Sequence, residues 1–126
     1  MAVRGDNPMR PANAAYGLAI HTGDVGSAGT DANVTFTVTG SRGAASVTVD
    51  TSLVGRMERN NRNYVTLQSP DLGTLRSITV QRDDTGNAPG WFLDNIVVRS
   101  FRYGTTATAT FNRWFDNTSP STQALV

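Results

Sequence analysis

The chain has 126 residues, enough for one domain with its own core, and a net charge of +1 that does not point to nucleic acid. It has no cysteine, which excludes a disulfide framework and a thiolate metal site. Every cationic side chain is arginine and Glu58 is the sole glutamate, so good helix formers are scarce while threonine and valine favour strands.

Residues 1–14 read as an N-terminal arm, because Asn7-Pro8 and Arg10-Pro11 resist regular structure. No long apolar run occurs, so neither a signal peptide nor a membrane span is expected in this chain, which is read as soluble. Ala15 to His21 suggests a first strand. Thr22 to Val34 then packs glycines with oxygen-bearing Asp24, Ser27, Thr30 and Asp31 into a tight loop. Such a mixture of carbonyls and carboxylates suits a hard cation such as calcium. Val34, Phe36 and Val38 alternate with Thr35, Thr37 and Thr39, the period-two pattern of a half-buried strand. Further strands are expected at Ser46 to Asp50, Tyr64 to Gln68, Ser77 to Arg82, Phe92 to Ser100 and Thr106 to Phe111. Each is bounded by Gly, Pro, Asn or Asp turn chemistry. Residues 117–126 are Ser/Thr-rich with Pro120 and are expected as a C-terminal tail outside the core. Residues 15–116 thus form an all-β domain, a sandwich or barrel of short antiparallel strands.

The order of motifs narrows this. Tyr16 leads into Thr22-Gly23-Asp24, followed by Gly29-Thr30-Asp31-Ala32-Asn33-Val34. Leu72-Gly73-Thr74-Leu75 precedes the strand at Ser77 to Val80. Then come Asp83 through Val98, with Trp91, and finally Phe111, Trp114 and Phe115. In this order the segments resemble the PLAT domain, also called LH2, of lipoxygenases, some lipases, polycystins and a clostridial phospholipase toxin. The resemblance runs from about Tyr16 to Phe115 and implies an antiparallel β-sandwich of about eight strands.

The resemblance also implies cation sites. One would use the Gly29 carbonyl with Asp83 and the Asp84 backbone. A second would use Thr30 and Asp31 with the Met57 to Asn63 loop, where Glu58, Asn61 and Asn63 offer oxygens. That loop departs from an acidic pattern, because Arg56, Arg59 and Arg62 oppose a dication. Ser27 also stands where some calcium-binding relatives carry an aspartate. Against these sites stands the expectation of ordinary turns, with aspartates capping backbone amides.

A surface for membrane or protein is the second candidate. Leu53, Val54 and Met57 lie beside Arg56, Arg59 and Arg62, and apolar tips beside arginines suit anionic headgroups. The competing expectation tucks Leu53 and Met57 under the loop and leaves the arginines solvated. Trp91 and Trp114 are both expected in the core.

Catalysis is not expected. His21 is the only histidine, and no Gly-x-Ser-x-Gly elbow exists. Asp83 and Asp84 are neighbours in sequence and suit a turn or metal better than an acid/base pair. Arg4-Gly5-Asp6 and the sequons at Asn33 and Asn117 do not change the reading. The expected function is a non-catalytic module that attaches to a protein or membrane surface, with calcium as the implied cofactor. The alternative is an oligomeric structural subunit that decorates a larger assembly, such as a phage capsid or surface array.

Overall fold

The computed structural model describes residues 14–26, 28–51, 57–85 and 90–126. Eight strands account for most of them: β1 (Ala14–Thr22), β2 (Asn33–Gly40), β3 (Gly43–Asp50), β4 (Arg62–Ser69), β5 (Leu75–Arg82), β6 (Trp91–Ser100), β7 (Thr106–Phe115) and β8 (Ser121–Ala124). They form two four-stranded sheets, ordered β4-β1-β6-β7 and β3-β2-β5-β8, and every pairing is antiparallel. This is the expected β-sandwich. Among the described residues no helix is long and apolar enough to cross a membrane.

Alternation in sequence becomes the two faces of each sheet. On β2, Val34, Phe36 and Val38 are fully buried. Thr35 and Thr37 face out and exchange hydroxyl hydrogen bonds with Thr48 (2.8 Å) and Ser46 (2.7 Å) on β3. On β1, Tyr16, Leu18 and Ile20 point into the same core. Trp91 sits at its centre with no exposed surface. Its ring meets Phe36 of the opposite sheet edge-on, with centroids 6.4 Å apart, and Phe115 of the neighbouring strand at 5.7 Å. Its indole N–H donates to the Thr22 hydroxyl at 2.9 Å, so the buried polar atom is paired.

Two expectations are corrected. Trp114 does not join the core but is 39% exposed. β6 and β7 pair Trp91 with Phe115 and Phe92 with Trp114. Neighbouring residues on a strand face opposite sides, so seating Phe115 inside turns Trp114 outward. There it packs edge-on against Phe92 at 5.4 Å. The segment 117–126 is not a tail outside the core. Ser121–Ala124 pairs with β5, and Leu125 is buried. Val126 exchanges two backbone hydrogen bonds with Thr108 of the other sheet, at 2.9 and 3.0 Å, closing one side of the sandwich. The Ser/Thr richness that suggested a loose tail supplies the outward positions of an edge strand, as in the Thr122–Thr79 hydroxyl bond at 2.7 Å. Of the expected arm, Ala14 opens β1 opposite Ser69; residues 1–13 lie outside the described residues.

The two tryptophans should therefore respond differently to truncation. Trp91→Ala should cost about 3–5 kcal/mol, the range for emptying a large buried aromatic site. Trp114→Ala, on the outer face, should cost no more than about 1 kcal/mol. Urea denaturation of both variants measures the contrast; equal losses would contradict this assignment of faces.

Candidate cation and surface-contact site

Three connections converge at the end of the sandwich where β1, β3 and β5 finish: the loops after Thr22, after Asp50 and after Arg82. Backbone hydrogen bonds knit the first two. Thr22 N–H donates to the Asn61 carbonyl at 3.0 Å, Asn60 N–H to the Gly23 carbonyl at 3.1 Å, and Thr30 N–H to the Met57 carbonyl at 3.1 Å. The fit is tight at Gly29, where a Cβ would stand 3.0 Å from the Met57 carbonyl oxygen and 3.2 Å from the Glu58 Cα. A larger residue would push the two loops apart. Side chains add to the seam: Arg59 Nε donates to Asp24 at 2.9 Å, and His21 spans Asp94 (2.9 Å) and Asn60 (3.1 Å) with its two ring nitrogens.

The residues implied as cation ligands fall into two groups. Gly29 and Thr30 lie against Met57, Glu58 and Arg59, so the second set is brought together in part. Thr30 is buried and acts as a bracket: its hydroxyl accepts the Ala32 N–H at 3.1 Å, and its carbonyl accepts the Thr51 hydroxyl at 3.0 Å. Asp31 is half-buried, and Glu58 and Asn61 are exposed. Asn63 faces inward from β4 and is only 9% exposed, and its side-chain oxygen Oδ1 has no hydrogen-bond partner among the described residues. A buried carbonyl oxygen left unpaired is costly and marks a place for a donor or a cation.

The Asp83 group is arranged otherwise. Asp83 Oδ1 accepts from the backbone N–H of Asn33 (3.0 Å) and from the N–H (3.0 Å) and hydroxyl (2.6 Å) of Thr85. Its Oδ2 accepts from the Asn33 side-chain amide at 3.0 Å. These donors, the Thr85 hydroxyl foremost, hold the Asp83 carboxyl down to about 2, against the opposing effect of burial. Asp84 accepts from Arg82 at 2.7 Å. Arg82 is itself buried between the sheets and also donates to the carbonyls of Phe115 (2.7 Å) and Asp83 (2.9 Å). Both carboxylates are thus committed to tying β5 and the following loop to β2 and β7. Among the described residues no three His, Cys, Asp or Glu side chains gather as a metal cluster.

Of the expected contact residues, Leu53, Val54 and Arg56 lie outside the described residues, as does Ser27. Met57 is corrected: it is fully buried and part of the core, so it offers no contact surface. Its backbone takes a positive φ of 29°, which turns the side chain under the loop while the carbonyl binds Thr30. Arg59 and Arg62 are exposed as expected. Sequence reasoning missed the buried role of Arg82. The signal was present: Ile78, Val80 and Arg82 share the inward parity of β5. It also missed the exposed apolar pair at this end, Trp114 and Val25, the latter 37% exposed on the first loop.

These features define the class before any family: an antiparallel sandwich whose variable chemistry is carried on loops at its ends. Residues 16–126 match the PLAT/LH2 domain family, and the chain belongs to it. It is 35% identical over 104 residues to Lipoxygenase homology domain-containing protein 1 of Mus musculus, covering 79% of this chain and 5% of that protein. It is 30% identical over 92 residues to the Allene oxide synthase-lipoxygenase protein of Plexaura homomalla, covering 70% of this chain and 9% of that protein. The chain therefore spans only a small part of these relatives. Among solved structures, it is similar to a coral 8R-lipoxygenase described as showing calcium activation via a C2-like domain. That likeness has a TM-score of 0.78 and 25% identity and covers 88% of this chain and 17% of the lipoxygenase chain. A Clostridium perfringens alpha-toxin shares the fold, with a TM-score of 0.70 at 18% identity over 90% of this chain and 32% of the toxin chain.

The Asp83 clasp has a pH signature. A carboxyl whose folded pKa is depressed stabilises the fold fully above its unfolded value of about 3.9. That contribution fades as pH falls through the folded value of about 2. Asp83→Asn should melt below the parent by a constant margin between about pH 5 and 7, and the margin should shrink from about pH 4 towards pH 2. Paired thermal melts across this range check it; a margin that does not change with pH would show that the charge is irrelevant.

Proposed function

We propose that this PLAT/LH2 domain is a non-catalytic attachment module. It docks a larger protein, or a neighbour, onto a membrane surface or a partner protein through its loop-bearing end. The observation that carries this is the composition of that end. Trp114 and Val25 stand exposed, Phe92 packs edge-on against Trp114, and Arg59 (bonded to Asp24) and Arg62 are exposed at the same end of the sandwich. An aromatic and an aliphatic tip beside guanidinium groups matches the interface between anionic headgroups and acyl chains. This favours a membrane surface over a protein partner. No observation favours the assembly-subunit alternative.

Among the described residues, His21 is not poised for nucleophilic catalysis. Both ring nitrogens of His21 are engaged by Asp94 and Asn60, and among the described residues no serine hydroxyl is bonded to it. A general base needs a free nitrogen facing a nucleophile.

Calcium is the cofactor in this reading, and the donor set fits it in kind. The Gly29 carbonyl, Thr30, Asp31, Glu58, Asn61 and the unpaired Asn63 oxygen are hard oxygen donors. In the other implied site, Asp83 and the Asp84 backbone would join the Gly29 carbonyl, with Asp83 giving up its present hydrogen bonds. The count of free carboxylates is small and Arg59 and Arg62 lie close in sequence, so affinity is expected at the weak end, about 0.1–1 mM. When bound, the ion would screen the acidic groups and add positive charge at the tip. The calcium-activated lipoxygenase among the structural relatives supports this reading.

Cosedimentation with vesicles tests it. The full chain should pellet with anionic vesicles and more so with millimolar calcium, and Trp114→Ala should reduce the bound fraction several-fold without lowering folding cooperativity. Equal binding to neutral and anionic vesicles, unaffected by calcium and by Trp114→Ala, would overturn the proposal.

A further inference from the structure

The opposite end of the sandwich carries a second constellation. There the β2–β3 turn, the β4–β5 connection and the β6–β7 turn surround an open cleft of about 580 Å³, within the range of small-molecule sites. Its walls are fixed by the backbone. Ser41 N–H donates to the Thr74 carbonyl at 2.8 Å and Arg42 N–H to the Leu72 carbonyl at 2.9 Å. Gly73 adopts φ +74°, and a Cβ there would collide with the Ser41 hydroxyl. On the other side Gly104 N–H closes the β6–β7 turn onto the Ser100 carbonyl at 2.8 Å. The mouth is therefore built before any ligand arrives.

The charges of the cleft cancel. The Asp71 carboxylate accepts the Gly73 N–H at 2.8 Å and the Tyr103 hydroxyl, and Arg42 pairs with it at 3.9 Å. The Tyr103 bond foremost, then the Gly73 amide, hold the Asp71 carboxyl below its ordinary value, so it stays ionised beside the guanidinium. An ionised carboxylate offers about four acceptor sites, and these two bonds leave others open. A separation of 3.9 Å is too long for a hydrogen bond between Arg42 and Asp71, and one hydroxyl group can bridge it. Arg102 does not line the cleft; its guanidinium packs over the Tyr103 ring, 5.7 Å from the centroid. Tyr16 lines the cleft from the core and is buried. Its hydroxyl accepts the Leu72 N–H at 2.9 Å, and among the described residues no acceptor takes its own proton. A buried donor left unpaired is costly and calls for an acceptor from outside. Leu75, Ala107 and the Tyr103 ring add an apolar wall.

We propose that this cleft binds a neutral saccharide unit, with Asp71, Arg42 and the Tyr16 hydroxyl engaging its hydroxyl groups and the apolar wall covering its C–H face. An anionic ligand would meet the Asp71 carboxylate, and a cationic one the Arg42 guanidinium. A wholly apolar ligand would strip water from the ion pair and return no hydrogen bond. A sugar hydroxyl does both jobs, since it donates to Asp71 while accepting from Arg42 or Tyr16. Such bonds to charged partners are stronger than neutral ones. The unit belongs either to a free sugar or to a glycan chain, since the chemistry is shared.

Amide NMR of the full chain, titrated in turn with the methyl glycosides of glucose, galactose and mannose, tests the proposal. At least one should give saturable shifts clustered at Arg42, Gly73, Thr74, Tyr103 and Thr105, with a dissociation constant in the millimolar range. Arg42→Ala removes an exposed side chain and should raise that constant about tenfold or more. Tyr16→Phe keeps the ring, removes the spare proton and should raise it several-fold, with a thermal melt to confirm folding. Arg99→Ala, an exposed arginine on the outer sheet face, should not change it. The phosphorylated and amino forms of the same sugar carry charge and should bind more weakly. Tighter binding of a trisaccharide of that sugar would assign the unit to a glycan chain, and equal binding to a free sugar; either outcome upholds the site. No saturable shift with any of the three up to about 100 mM, or binding that survives Arg42→Ala and Tyr16→Phe combined, would overturn it. Trp114→Ala lies at the other end and should leave this binding intact, so failure here and failure of membrane docking are separable.

Discussion

The fold turns on one buried interlock. Trp91 reaches from one sheet to Phe36 of the other, stacks beside Phe115, and hands its single polar hydrogen to Thr22. Burying so large a ring stabilises only if neighbours fill the space around it and its N–H is paired. Both conditions fix geometry beyond the core. Thr22 is the last residue of β1, so the bond also sets where the glycine-rich loop departs. Gly23 follows directly, with its N–H on the Phe92 carbonyl at 2.9 Å and the Phe92 ring lying over it. The parity that places Trp91 inside therefore places Phe92 and Trp114 outside. Core packing and the exposed aromatic tip are two consequences of a single register.

Charge is distributed with the same economy. At the loop-bearing end, Arg82 is buried and bonded to two carbonyls and Asp84, joining β5 to Phe115 of the other sheet. A buried guanidinium is tolerable because its donors are taken up. Asp83 is likewise taken up by Asn33 and Thr85. What remains unpaired is informative by contrast: among the described residues, the buried Asn63 oxygen at this end.

Much of the fold was legible in the sequence. Alternation at Val34, Phe36 and Val38 located β2, and the turn residues bounded most other strands, because period-two burial leaves its mark on single strands. β8 was not legible. An edge strand of four residues with outward Thr122 carries too little apolar signal, and its burial rests on Leu125 just beyond it. Trp114 was misassigned because residue type outweighed parity: Trp114 and Phe115 are adjacent and cannot both face inward on one strand. The loop contacts were legible only in part. Gly29 and Thr30 do meet Met57 and Glu58, but the partners that Asp83 takes depend on the register of β2 against β5, which no local pattern encodes. Met57 is apolar in a polar loop, and only its backbone conformation decides that it turns under.

On the proposed reading, the exposed tip at the loop-bearing end carries the domain's attachment. Tryptophan quenching by lipids brominated on their acyl chains reads this directly, since Trp91 is sealed in the core and Trp114 is the accessible reporter. With anionic vesicles and calcium, the full chain should lose part of its emission to brominated lipid, and Trp114→Phe should abolish that loss. Bound protein whose Trp114 stays as open to aqueous iodide as in free solution, with no quenching from the bilayer, would contradict the account.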